Sequence, residues 1–202
     1  MKPERGSDRY VAFRVVLVML AVMWVSEVVD VASGHKLDEL GIEPREPDGL
    51  IGVGTAPFLH AGFGHLLSNT VPFVILGLVV AFEGVKRFAA VTVIVMVVGG
   101  LGTWLFAPSN TIHIGASGVV FGYAAYLIIR GVFNRSLSEL AVAVVVVLVL
   151  GGALLGGFVP RAGVSWQGHF FGAVGGVLAA WLLARRRPAQ TAVEPLPSGR
   201  VA

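Results

Sequence analysis

The sequence predicts an all-α integral membrane protein, a bundle of six transmembrane helices, and three observations carry that prediction. Of its 202 residues 55% are hydrophobic and only 13% charged, and the mean hydropathy is +0.82, a balance far from that of a soluble domain. The apolar residues fall into runs at about 11–29, 66–82, 88–107, 117–129, 137–158 and 168–184, each at or near the length that crosses hydrocarbon. Basic residues gather at alternate ends of these runs. Lipid offers the backbone no partner, so every span must satisfy its own amides as a helix.

The net charge of +3 does not mark a nucleic-acid binder, because its distribution follows membrane sidedness. Lys2, Arg5, Arg9 and Arg14 precede or open the first run, Lys86 and Arg87 follow the second, Arg130 and Arg135 the fourth, and Arg185, Arg186, Arg187 and Arg200 the sixth. Lys36, Arg45 and Arg161 fall on the other side. The positive-inside rule then puts both termini in the cytoplasm of a multi-pass plasma-membrane protein. With no cysteine there are no disulfides and no thiolate metal ligands.

Residues 1–10 read as a charged cytoplasmic lead, 11–184 as one helical domain and 185–202, with Pro188, Pro195 and Pro197, as a disordered cytoplasmic tail. The first helix ends near Glu27 and Asp30, neither of which needs to be buried. Residues 30–59 form the longest non-helical connection, and its apolar segment 49–54 suits a membrane surface. The second helix starts within 58–70, with Pro72 near its start, where the missing N–H costs least. The third carries Gly99, Gly100 and Gly102 for a close neighbour. The loop 108–114 has no charged residue beside His113 and suits a segment dipping inside the protein. The fifth helix, rich in valine and leucine, reads as lipid-facing wall, and 159–165 as a candidate lid.

Rise per residue places the polar groups. Counting back from Arg130 to Ser117 gives about 20 Å of helix, from Arg185 to His169 about 24 Å, and from Lys86 to Asn69 about 25 Å. In a core about 30 Å thick, all three lie at one level below the outer face, with His65 one turn above Asn69. Each sits at the start of a helix, where unpaired N–H groups favour a negative charge. Polar groups inside a membrane mark a functional site by default.

This set supports acyl transfer, with Ser117 as nucleophile and His169 as the base that takes and returns its proton. The Ser117 N–H, the Asn69 amide and the His65 imidazole are candidate donors to the oxyanion. No carboxylate stands at that depth, so the arrangement is a dyad. Gly172 and Gly176 share a face with His169, and Gly118 and Gly122 line the helix of Ser117, so the two helices can approach closely. A metal site built from His60, His65, His113 and His169 is the competing reading. Its spacing argues against it, since His60 and His65 are five apart and lack an acidic companion. His60 and His113 read as loop braces, and the chemistry calls for no cofactor.

These residues together resemble the rhomboid family of intramembrane serine proteases. The family's H-x4-H-x3-N pattern is matched by His60, His65 and Asn69, its G-x-S-G by Gly115, Ala116, Ser117 and Gly118, and its H-x2-G-x3-G by His169, Gly172 and Gly176. The resemblance covers about residues 57–184. It implies a six-helix rhomboid-like bundle, a Ser117–His169 dyad, an oxyanion site of His65, Asn69 and Ser117, and cleavage of transmembrane protein substrates near the outer membrane face. Its alternative is a catalytically inactive relative that binds membrane clients, a class that typically loses the serine or the histidine kept here. The Trp-Arg pair of many relatives' first loop is absent. Where some relatives place an aromatic hydroxyl one turn below the serine, this chain has Phe121, able to stack on His169 but not to donate a hydrogen bond.

Overall fold

Hydrophobic runs of this length leave helix as the only element available, and the computed structural model, which describes residues 5–161 and 163–184, is helical throughout, without a strand among the described residues. The long helices are α1 (Arg5–Ser33), α3 (Phe63–Ala81), α4 (Val85–Phe106), α5 (Ser117–Asn134), α6 (Leu137–Gly157) and α7 (Trp166–Leu182), with a four-residue α2 (Gly52–Thr55) in the first connection. Five of them, α1 and α3 to α6, are long and apolar enough to cross a membrane. The 17 residues of α7 reach about 25 Å. The predicted tail 185–202, with Arg185 to Arg187, and residues 1–4 of the predicted lead lie outside the described residues.

The bundle is centred on α5, which α3, α4, α6 and α7 all touch. Its core side chains Tyr123, Tyr126 and Leu127 are buried. Tyr123 packs between Phe73 and Phe88, and its hydroxyl meets Thr92 Oγ1 at 2.7 Å. A buried hydroxyl needs such a partner, because leaving one unmade costs more than the bond gains. Among the described residues α6 packs chiefly on α5, and Val144, Val145, Val147, Leu148, Val149 and Leu155 stand exposed along it. Such a face is stable only against lipid.

Close helix approach runs through glycines. A Cβ on Gly172 would lie 2.1 Å from the Gly118 carbonyl oxygen, and one on Gly176 2.0 Å from that of Gly122, so α5 and α7 meet backbone to backbone. On α4, Gly99 faces Gly172, Gly102 receives the Phe171 ring, and Gly100 receives Val53 of α2. The segment 49–54 thus rests on α4.

Three sequence expectations change. Glu27 and Asp30 are 1% and 2% exposed, although a position near a helix end did not demand burial. The cause is the first connection, which folds back over them in 3₁₀ turns and brings Leu37 N–H to Asp30 Oδ1 at 2.7 Å. Pro72 lies inside α3, not at its start, because α3 already begins at Phe63, after Gly62 at φ 101°. Membrane helices tolerate the lost amide where neighbouring helices enclose the backbone. Arg130 is 7% exposed and paired with Glu83, which also accepts from the Tyr126 hydroxyl at 2.9 Å, so its charge is neutralised inside the bundle and does not reach for headgroups. Two basic residues at the opposite end also have local reasons: Arg45 donates to the Leu105 and Ala107 carbonyls closing α4, and Arg161 to the Gly156 carbonyl near the end of α6. Unpaired carbonyls at helix ends attract such donors.

Candidate active site

Ser117 is the first residue of α5, and a glycine turn and two loop hydrogen bonds set that start. Gly115, at φ 116°, turns the chain in a conformation that side chains resist. Its N–H donates to the Ala56 carbonyl at 2.9 Å, and the Ala116 N–H donates to His60 Nε2 at 3.4 Å. His60 is 1% exposed, and burial first, then the neighbouring His65, pulls its pKa down to about 4. A neutral His60 can therefore accept from Ala116.

His169 enters from the first turn of α7. That helix is capped by Ser165, whose Oγ accepts from Gly168 N–H at 3.3 Å, the role serine fills best at a helix start. Ser165 Oγ also meets His113 Nδ1 at 2.7 Å, and Thr111 Oγ1 meets His113 Nε2 at 2.9 Å. His113 exchanges backbone hydrogen bonds with Ile42 and so ties the first connection, the loop 108–114 and the cap of α7 together. Burial lowers its pKa as well.

The Ser117 Oγ stands 2.8 Å from His169 Nε2, and His169 Nδ1 stands 2.7 Å from the Gly157 carbonyl. A carbonyl only accepts, so Nδ1 carries the proton and Nε2 is free to accept from the serine hydroxyl. Phe121 lies flat on the imidazole, ring centroids 4.2 Å apart and planes 3° apart, and is itself met edge-on by Phe158 at 5.1 Å. The Gly157 carbonyl is the partner that sequence reasoning missed. Side-chain patterns carry no signal for a main-chain oxygen. A glycine is required there, since a Cβ would lie 2.3 Å from Phe121 Cζ.

His65 and Asn69 flank the same space from α3. A Cβ on Gly115 would lie 2.8 Å from His65 Nε2 and 3.8 Å from Asn69 Nδ2, so the missing side chain brings both beside the turn that leads into Ser117. His65 Nδ1 accepts from Ala61 N–H at 3.4 Å, which leaves the proton on Nε2. Asn69 Nδ2 spends one hydrogen on the His65 carbonyl at 3.1 Å and keeps the other. His65, Asn69, Ser117 and His169 line one open cleft of about 1220 Å³, walled by Ser68 and Pro72 of α3 on one side and Leu150, Ala153 and Leu154 of α6 on the other. Gly118, Gly172 and Gly176 belong to the seam beneath it. The four histidines His60, His65, His113 and His169 do not converge on a shared ligand point: His60 and His113 are spent on Ala116, Ser165 and Thr111.

The geometry can activate a hydroxyl and supply donors around a developing oxyanion. Comparison with known proteins gives the family. The chain is 44% identical over 176 residues to an uncharacterised protein of Mycobacterium tuberculosis, covering 83% of this chain and 73% of that one. It is 39% identical to an uncharacterised protein of Mycobacterium leprae over 90% of this chain and 77% of the relative. It is 29% identical to the putative rhomboid protease YdcA of Bacillus subtilis, covering 85% of this chain and 88% of the relative. The rhomboid domain model matches residues 47–186, from the first connection through α7 and most of the chain's length. The chain belongs to the rhomboid family.

Proposed function

We propose that the chain is an intramembrane serine endopeptidase of six spans, its domain covering residues 11–184 and both termini in the cytoplasm, that cuts transmembrane protein substrates near the outer membrane face. The observation that carries this reading is the 2.8 Å contact of Ser117 Oγ with His169 Nε2, with Nδ1 held by the Gly157 carbonyl. In the first step Ser117 Oγ bonds to the scissile carbonyl carbon and its proton passes to Nε2. The imidazolium so formed keeps its Nδ1–H on Gly157, which takes the orienting part a carboxylate plays elsewhere. The tetrahedral oxygen lies among the Ser117 N–H, Asn69 Nδ2 and His65 Nε2, donors fixed before the reaction begins. On collapse the C–N bond breaks, and His169 returns the proton to the leaving amine. A water then gives its proton to His169 and attacks the acyl-serine, which regenerates the hydroxyl and frees the new carboxyl terminus.

A cleft of this size, open between α3 and α6, has room for an extended peptide segment arriving from the bilayer. Because α6 packs chiefly on α5, it is the wall most readily moved, and the loop 159–165, of which residue 162 lies outside the described residues, is the proposed lid. The test is a fluorophosphonate probe together with cleavage of a single-span reporter by the purified chain. Wild type should label and cut, while Ser117→Ala and His169→Ala should neither label nor cut, with turnover down by more than about a thousandfold. Cleavage by Ser117→Ala protein would overturn the dyad. Failure of folded wild type to label or cut, with retention of membrane clients, would favour the client-binding alternative.

A further inference from the structure

The far end of α1 holds a second polar cluster that the dyad does not use. Asp30, His35 and Asp38 each present one ligand atom, and these atoms all lie within 4.8 Å of one another. Asp30 Oδ2 meets His35 Nδ1 at 2.8 Å, and Asp38 Oδ1 is buried without a hydrogen-bond partner. One helical turn before Asp30, and so on its face, stands Glu27. It is 1% exposed, its carboxylate oxygens are sealed from solvent with the Gly62 backbone N–H beside them and no side-chain donor bonded to them, and the charges around it are those of Asp30, Asp38 and His35. Three carboxylates and one imidazole are thus gathered in one place. Buried carboxylates in this state are stable only when something neutralises them.

From this geometry we infer that Asp30, His35 and Asp38, backed by Glu27, bind a divalent transition-metal cation such as Zn²⁺. Imidazole together with carboxylates suits zinc, whereas a set of oxygens alone would suit calcium or magnesium. Bonds of about 2.0–2.2 Å put tetrahedral ligand atoms roughly 3.4 Å apart. His35 is more than half exposed at its side chain and follows Gly34 in a turn, so it can close that gap. A cation bound at His35 Nδ1 would replace the hydrogen bond that this atom makes with Asp30 Oδ2. The cation would pin the first connection to α1 beside Gly62, the residue that caps the helix carrying His65 and Asn69. The inference does not depend on the proteolytic reading.

The test is a Zn²⁺ titration of the purified full chain in detergent against a chromogenic zinc indicator, repeated with His35→Ala and Asp38→Asn. One equivalent should bind wild type at least tenfold more tightly than either variant, and zinc should raise the melting temperature of wild type but not of His35→Ala. Both variants keep His60, His65, His113 and His169, so zinc held by those residues cancels in the comparison. The His35 side chain is more than half exposed and hydrogen-bonds to Asp30, so His35→Ala decides the matter even if Asp38→Asn folds poorly. Equal zinc affinity of wild type and His35→Ala would overturn the site. Displacement of zinc by an equal concentration of Ca²⁺ would overturn its assignment to a transition metal.

Discussion

The ring of Phe121 lies parallel to that of His169, 3° apart in plane and 4.2 Å between centroids. The imidazole thus has a flat floor as well as a hydrogen bond to the Gly157 carbonyl. Phe121→Ala should lower kcat for a single-span reporter about 10- to 100-fold with KM little changed, because a displacement of about 1 Å in a catalytic group costs roughly that much. Phe121→Tyr, which keeps the flat face, should retain activity within about threefold. Equal loss in the two variants would show that shape, not stacking, is what matters there.

The seam between α5 and α7 leaves no room for even one carbon. Gly172→Ala would put a Cβ 2.1 Å from the Gly118 oxygen, although alanine is otherwise the better helix former by about 1 kcal/mol. Gly172→Leu, and to a lesser degree Gly172→Ala, should abolish most proteolysis with Ser117 and His169 intact. Gly151→Leu should be mild, since a Cβ there meets only Val147 at 3.6 Å. Cleavage rates normalised to inserted protein make the comparison.

Stability should fall on acidification. His60 is neutral when folded, with its pKa near 4 against an ordinary value of 6.5. The unfolded chain therefore binds more protons below pH 6.5, so the contribution of His60 is full above that value and is lost as pH drops toward 4. Burial of His113 acts in the same direction. Thermal unfolding in detergent should show a melting temperature that declines between pH 6.5 and 4, with a shallower decline in His60→Asn. An unchanged pH slope in that variant would remove His60 from the account.

Breaking the Glu83–Arg130 pair from one side should be costly. Both groups are largely buried, with Tyr126 and Glu139 close by. Arg130→Met or Glu83→Gln alone should destabilise by about 3–5 kcal/mol, and the double variant by less than the sum. Denaturation of the purified chain in a double-mutant cycle measures this.

Single cysteines report sidedness without background, because the chain has none. Lys36→Cys should react with an impermeant thiol reagent applied outside the cell, and Arg135→Cys only after lysis. Outside labelling at Arg135→Cys would invert the proposed orientation.

That Ser117, His169 and Asn69 line one cleft was legible in the sequence because helix rise is fixed and all three stand in the outer half of their runs. The glycine faces were legible for a similar reason: positions three and four apart share a side of a helix. What stayed hidden depends on contacts between distant parts of the chain. The burial of Glu27 and Asp30 comes from a connection that folds back over them, and no local pattern announces it. Arg130 served as a marker of the membrane edge, yet Glu83, 47 residues earlier, holds it inside. The interior position of Pro72 was missed because α3 starts at Phe63, right after Gly62 and ahead of the apolar run that opens at 66.

The Gly157 carbonyl has a genetic consequence. A main-chain oxygen has no codon, so no substitution can delete the group that fixes the tautomer of His169. Alanine scanning would record two essential side chains and pass over the third participant. A change at Gly157 would act through the carbon it adds against Phe121. This part of the site can therefore be lost only indirectly, by a change that moves the end of α6.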